Sequence, residues 1–333
     1  MESPKISVII PAYNASSTIV RCLDSIYGLS LDESEYEVVV VDDCSQDNTA
    51  TIVEECSQRH VNLILLRQPE NHNLGAARNK GVAAAKGQYV VFVDSDDESA
   101  EGMNTAVKLA EENDLDMVAM RYVKVGKDGN IEKELRLSYD KRKIFTGVEM
   151  QTEFPYWSVS VWSYVYKRSF LEQVNYPFVE DMFFEDSDFT NVHLFHAGRM
   201  SYCDECGYVV HYNPVSITHT LTYKHLSDYA LMGTRMLHFF ESLEDKTSKY
   251  AQGILEGGSY NIMKAFSRLY RLRSLKEGRA FYDRFDAHYD RRMLLGYRHP
   301  ANCWTPWTRF CLKHRSMALL CVGFAMPFYR ILK

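Results

Sequence analysis

The chain has 333 residues, of which 46% are hydrophobic and 25% charged, a balance that excludes a disordered or low-complexity protein. Its net charge of −6 is unevenly spread, with −16 over residues 1–223 and +10 over residues 224–333, so the two ends are expected to face different partners. Eight scattered cysteines suggest a reducing compartment rather than a disulfide framework, and Ile6–Ile10 is too short for a secretory signal, so a cytoplasmic protein is expected.

Lys5–Ile10 reads as a first strand stopped by Pro11. Cap-forming residues at Asn14–Ser17 then lead into a helix with Ile19, Leu23 and Ile26 on one face, ending at Gly28. Glu37–Val41 is a second strand running into Asp42 and Asp43. Asp47 and Asn48 suit the cap of a helix carrying Ile52, Val53 and Cys56. Val61–Leu66 predicts a third strand, and Asn71–Lys86 a helix rich in small residues with Gly87 as its terminating glycine.

Tyr89–Val93 is a buried strand that runs directly into Asp94, Asp96 and Asp97. Two readings stand: a solvated acidic turn, or a site for a divalent cation and phosphates at a sheet's carboxyl edge. Strands this apolar, alternating with helices, predict an α/β fold with a mostly parallel, doubly wound sheet. The first strand–helix turn, Pro11–Ser16, lacks glycine, which excludes a dinucleotide fingerprint, and no P-loop occurs.

Four stretches in order, Ile6–Asn14, Val39–Thr49, Asn73–Asn79 and Val91–Asp97, resemble the sequential motifs of family 2 glycosyltransferases. The resemblance implies a GT-A fold and inverting transfer from a nucleotide-diphosphate sugar, UDP-linked by expectation. It assigns Tyr13 to the base, with Pro11 shaping that loop and Asp43 (rival Asp42) accepting from a base N–H. Arg78 is placed near the nucleotide or diphosphate, and Asp94 with Ser95 near the ribose. Asp96 becomes the ligand of Mn²⁺ or Mg²⁺, and Asp97 a supporting or capping residue.

Beyond the acidic turn, Ala100–Asn113 predicts a helix and Asp116–Val125 a strand. Lys127–Asn130 is a hairpin turn into Ile131–Leu137, so antiparallel structure is expected here. Val161–Leu171 is aromatic and then basic, which suits a buried element. Glu185-Asp186 resembles the family's Glu-Asp motif, implying that Asp186 is the general base and Glu185 positions it, with Asp181 and Asp188 as rivals. An acid-rich helix start is the alternative for these residues. Cys203 and Cys206 lack a second matching pair, so a zinc site is not expected, and His193 and His196 read as core residues. The segment Tyr208–Thr220, with His211 and His219, resembles the strand and loop closing the family's acceptor site.

From Asp228 the pattern is helical, with Met232, Met236 and Phe240 in step and Lys264, Arg268 and Arg271 sharing one face. Pro300, Trp304, Pro306 and Trp307 precede a basic, apolar end, Lys313–Phe328. This end is too short to span a bilayer, and suits either the surface of an anionic inner membrane or a packed terminal helix.

The expected organisation is 1–99 for the nucleotide sugar, 100–223 for the acceptor, and 224–333 as a basic helical region. The expected partners are a sugar donor, a glycan or lipid-linked saccharide and a membrane surface, with no nucleic acid. A nucleotidyltransferase or an inactive sugar-nucleotide-binding module are the competing readings. The first generally needs a glycine- and Lys/Arg-rich phosphate loop absent at Pro11–Ser16; the second is disfavoured by Asp94, Asp96 and Asp186 together.

Overall fold

In the computed structural model the described residues are 3–135, 143–154, 159–214, 222–272, 274–290, 294 and 306–324. They fall into two compact units, residues 1–214 and 215–333.

The first unit is built on one mixed sheet. Its strands are β1 (Ile6–Ala12), β2 (Tyr36–Asp42), β3 (Leu63–Arg67), β4 (Tyr89–Phe92), β5 (Glu98–Ser99), β6 (Met117–Val125), β7 (Ile131–Leu135), β8 (Tyr164–Lys167) and β9 (Met200–His211). The order is β3-β2-β1-β4-β8-β6-β9-β5, with β7 paired to β6. The pairs β3–β2, β2–β1, β1–β4 and β6–β9 are parallel; β4–β8, β6–β8, β6–β7 and β5–β9 are antiparallel. Antiparallel pairing thus sets in after the acidic turn. The order turns back between β1 and β4, the topological switch point beyond whose carboxyl ends ligands bind in such sheets.

Alternation places Val8, Val38, Val40 and Val91 on one face. There they meet Ile19, Leu23 and Ile26 of α1 (Ile19–Tyr27), Val53 and Cys56 of α2 (Thr49–Ser57), and Met103 and Val107 of α4 (Gly102–Asn113). On the other face Val39 and Val41 pack against Ala77 of α3 (Asn73–Ala84). Helix α3 has no broad apolar stripe; its small residues let it lie close on the sheet. A Cβ added at Gly81 would come 2.4 Å from Ile9 Cγ2, and one at Gly75 would come 2.3 Å from Val179 O. Helices α5 (Gly147–Glu153), α6 (Arg168–Val174) and α7 (Glu185–His196) follow, and Met150, Phe170 and Phe189 pack in one cluster with Ile9 and Phe92.

Several boundaries differ from the sequence reading. β1 continues through Pro11 to Ala12, paired with Val41 and Asp42 of β2. This is tolerated because its missing N–H faces β4, whose last ladder bond is from Val93 N–H to Ile9 O. β3 begins at Leu63, because Leu63 N–H closes a turn onto His60 O and leaves Val61 96% exposed. Gly87 does not terminate α3 in a left-handed conformation: Ala85 is the extended cap. Gly87 is needed for close approach, its N–H donating to Ser7 Oγ at 2.8 Å where a Cβ would meet Ser7 N at 2.5 Å.

The second unit contains α8 (Tyr223–Ser242), α9 (Lys249–Ser267), α10 (Leu275–His288), α11 (Pro306–Lys313) and α12 (Arg315–Phe324). Helices α8 and α9 approach closely at Gly233, where a Cβ would come 2.6 Å from Gly258 O. α9 ends before Arg268, so Lys264, Arg268 and Arg271 do not share a helical face; Arg271 sits in a following 3₁₀ turn. Lys264 instead donates to Tyr229 Oη at 2.6 Å. In α12, Ala318 is buried and Arg315 bridges Asp283 and Asp286 of α10. Arg136, Leu137, His219, Pro300, Trp304 and the stretch 325–328 lie outside the described residues. Among the described residues no helix is long and apolar enough to cross a membrane.

Candidate active site

The carboxyl ends of β1, β2 and β4 gather the first-half motifs. Just beyond β1, Tyr13 is 46% exposed, while Pro11, within the strand, is buried. Their loop is braced by the loop after β2. Asn14 N–H donates to Ser45 Oγ (2.9 Å), Gln46 N–H to Asn14 Oδ1 (2.8 Å), and Ser16 N–H to Asp47 Oδ2 (3.1 Å). Against the upward push of burial, hydrogen bonds from Thr49 and Ser16 hold the Asp47 carboxyl down at about 2. Asp47 is therefore a loop brace, as its cap-forming character suggests.

Asp43 is buried and accepts from Gln68 Nε2 at 2.6 Å and from His72 N–H at 2.9 Å. Burial raises its carboxyl, and those donors restrain the rise. Neighbouring Asp42 is also buried and receives a long bond from Ser45 N–H at 3.4 Å.

The turn after β4 is organised by a residue that sequence reasoning did not single out, Tyr208 of β9. Its buried hydroxyl accepts from Asp94 N–H at 3.0 Å and donates to Asp97 Oδ2 at 2.9 Å. Asp97 also accepts from His211 N–H at 2.8 Å, which makes it a support within the protein. Asp96 accepts from Asn213 Nδ2 at 2.8 Å, while its carbonyl accepts from Arg21. Glu98 continues the brace, 3.1 Å from Arg21 Nε and 2.9 Å from His211 Nε2. Ser95 is half-buried between them. Tyr208 and Asn213 lie in the segment likened to an acceptor-site strand, which was the available signal; nothing local marked Arg21.

Burial, and then the charge of Asp94, pushes Asp96 above the ordinary carboxylate range, and Asp97 is raised in the same way. Crowded oxygen ligands of this kind suit a hard divalent cation completed by phosphate oxygens. Among the described residues no cluster of three or more His, Cys, Asp or Glu forms a self-sufficient metal site.

Arg78 joins this turn to the second half. It is 2% exposed; Nη2 donates to Asp94 Oδ1 at 2.7 Å and Nη1 to Glu185 Oε1. Its guanidinium carbon stands 5.5 Å from the Phe178 ring centroid. Glu185 and Asp186 open α7, where the helix dipole favours negative charge. Burial pushes both carboxyls up against the pull of Arg78, and Asp94 adds to the push on each. The chain enters α7 through left-handed residues Asp181 (φ 59°) and Phe184 (φ 67°). A Phe in that region is strained, and such strain concentrates at functional sites. Of the rival acids, Asp188 is buried and accepts from Tyr176 Oη at 2.9 Å, and Asp181 lies 2.9 Å from His72 Nδ1. The aromatic stretch is core: Trp162 stacks on Tyr208 at 4.5 Å between centroids.

Comparison with known proteins bears on the family and the fold. The family described as glycosyl transferase family 2 matches residues 7–174, half of the chain. The chain is 33% identical over 225 residues to the uncharacterized glycosyltransferase EpsJ of Bacillus subtilis, covering 65% of this chain and 63% of that relative. The match therefore spans less than two thirds of the relative's length. A crystal structure of S. aureus TarS in complex with UDP-GlcNAc superposes with a TM-score of 0.63 at 21% identity, over 99% of this chain and 92% of that one. The mannosyltransferase PcManGT of Pyrobaculum calidifontis, in complex with GDP-Man and Mn²⁺, gives 0.56 at 17%, over 99% and 89%. The fold is the one these glycosyltransferases share, and the chain belongs to glycosyl transferase family 2.

Proposed function

We propose that the protein transfers one sugar from a UDP-linked donor to a hydroxyl of a glycan or lipid-linked saccharide, inverting the anomeric centre. One observation carries the reading: Arg78 ties Asp94 of the acidic turn to Glu185, the residue beside Asp186. Donor-side and acceptor-side acids thus meet at one point. The bound UDP-GlcNAc of the TarS complex supports a UDP-linked donor, and the Mn²⁺ of PcManGT supports a divalent cation.

In this reading residues 1–99 hold the donor and residues 100–223 the acceptor. Tyr13 stacks on the base, Pro11 shapes its loop, and Asp43 accepts from a base N–H. Asp94 and Ser95 face the ribose. Arg78, buried between Asp94 and Glu185, holds both in place and offers positive charge near the diphosphate. Asp96 is the carboxylate that would hold Mn²⁺ or Mg²⁺, which when bound neutralises charge growing on the leaving diphosphate. Asp186 accepts the proton of the acceptor hydroxyl as its oxygen bonds to the anomeric carbon and the diphosphate leaves from the opposite face. Such proton removal is worth about 10²–10⁴ in rate. Glu185 fixes the start of α7 beneath it. Residues 224–333 bring the enzyme to an anionic membrane surface, on the inner face of the cytoplasmic membrane, supported by their charge of +10.

Thermal-shift screening of nucleotide sugars with and without Mn²⁺ tests the proposal. Stabilisation by a UDP-sugar that depends on Mn²⁺ is the expected result. No response to any nucleotide sugar overturns it.

A further inference from the structure

The β6–β7 hairpin treats its two faces differently. On one face Arg121 and Glu134 form an ion pair, the usual way of placing charges on neighbouring strands. On the other, Lys124 stands directly opposite Lys133. Like charges in that position oppose pairing. Neither ammonium has an ion pair or hydrogen bond among the described residues. Lys124 is half-buried, while Lys133 is exposed. Burial and then Lys133 lower the Lys124 pKa, partly offset by Asp97. Two cations held side by side, without an ion pair among the described residues, offer a place for an anion.

Their position says which molecule brings it. Lys124 pairs with Val210 of β9, and alternation puts Tyr212 on the same face as Val210. Tyr212 is 46% exposed. The next residue, Asn213, holds Asp96 at 2.8 Å. Three residues from Val210 to Asn213 span about 10 Å. Lys124 therefore stands beside the strand whose end braces the acidic turn through His211 and Asn213, on the acceptor half. Lysine suits this task as a flexible point charge, and an exposed aromatic ring suits the face of a sugar.

We infer that Lys124, Lys133 and Tyr212 form a subsite for an anionic group, phosphate or carboxylate, carried by the acceptor saccharide. This rests on the glycosyltransferase reading and adds an acceptor class to it. Neutral glycans would lack the ionic contact at this subsite.

The test uses the full chain and the double variant Lys124→Gln/Lys133→Gln, which removes charge from half-buried and exposed sites and leaves the packing of β6 and β7. Three probes of equal length are titrated by calorimetry, with and without saturating UDP and Mn²⁺: a 6-phosphorylated oligosaccharide, an oligogalacturonate and a neutral oligosaccharide. At least one anionic probe is expected to bind the wild type more tightly than the neutral one. In the double variant that preference weakens about tenfold or more, while affinity for UDP is unchanged. Which anionic probe binds separates phosphate from carboxylate. Equal binding of all three probes by the wild type, or equal anionic binding by the variant, overturns the inference. So does a loss confined to UDP affinity, which would assign the lysines to the donor. Failure of the wild type to bind UDP counts against the functional reading alone, because the probes are also read without UDP.

Discussion

Arg78 and Glu185, 107 residues apart in sequence, form an ion pair in which the side chains are 2% and 4% exposed. The same guanidinium holds Asp94. A cation buried between two acids is costly to desolvate, and it is retained where it fixes a geometry.

Removing Arg78 should therefore be severe. Arg78→Ala leaves Glu185 as an uncompensated buried charge and strips half-buried Asp94 of its partner, an expected loss of ~3–5 kcal/mol in stability. Arg78→Lys keeps the charge but cannot present two parallel donors to both carboxylates, so an intermediate loss is expected. Urea unfolding of the two variants beside wild type checks the order, and equal stability of all three would refute the clamp.

The hydroxyl of Tyr208 makes a separable prediction. Tyr208→Phe keeps the ring stacked on Trp162 but strips the acceptor from Asp94 N–H and a donor from Asp97. A buried polar group left unsatisfied costs ~1–3 kcal/mol. The acidic turn should also loosen, weakening Mn²⁺-dependent UDP binding. A variant with wild-type melting temperature and UDP affinity would show that Tyr208 is only packing.

These two residues mark how far the sequence could be read. The strands β1, β2 and β4 were legible because runs such as Val38–Val41 are buried on both faces, and the acids at their ends stood out for the same reason. Glu185 and Asp186 were singled out through a family resemblance, with a helix start as the competing reading; the helix start is observed, since they open α7. The partner of Arg78 was not legible, because an ion pair across 107 residues leaves no local trace. Tyr208 and Asn213 were hidden likewise, each joined to the acidic turn from more than 100 residues away. Pro11 misled because proline usually ends a strand, yet the lost donor falls where the β4 ladder has already finished.

The two central acids should separate binding from chemistry. Asp96→Asn is expected to abolish Mn²⁺-dependent UDP binding. Asp186→Asn should leave UDP binding intact and lower the transfer rate about 10²–10⁴-fold, the usual worth of a general base. Calorimetry and a transfer assay read the two effects independently. Near-wild-type turnover by Asp186→Asn would move the base elsewhere, with Asp188 and Asp181 next in line.

The pH dependence follows from the raised carboxyls. Asp186 accepts a proton only when ionised, and burial lifts its pKa above the ordinary aspartate value. Transfer should then rise with pH through a limb lying above 3.8, the ordinary value, rather than being flat across the acidic range. The stability of the unliganded protein should move the opposite way. Asp96, Asp97, Glu185 and Asp186 all bind protons more readily folded than unfolded. The native state therefore holds more protons in the window between the ordinary and the raised values, and its stability falls as pH climbs through that window. Below the ordinary range both states are protonated and the penalty vanishes. Buried His193, held down to about 4, works the other way, so the fall is read as the difference in melting temperature between wild type and Glu185→Gln, which should shrink or reverse from pH 5 to 8. A difference from Glu185→Gln that did not change with pH would contradict the raised carboxyl of Glu185, and a flat rate profile would contradict Asp186 as the base.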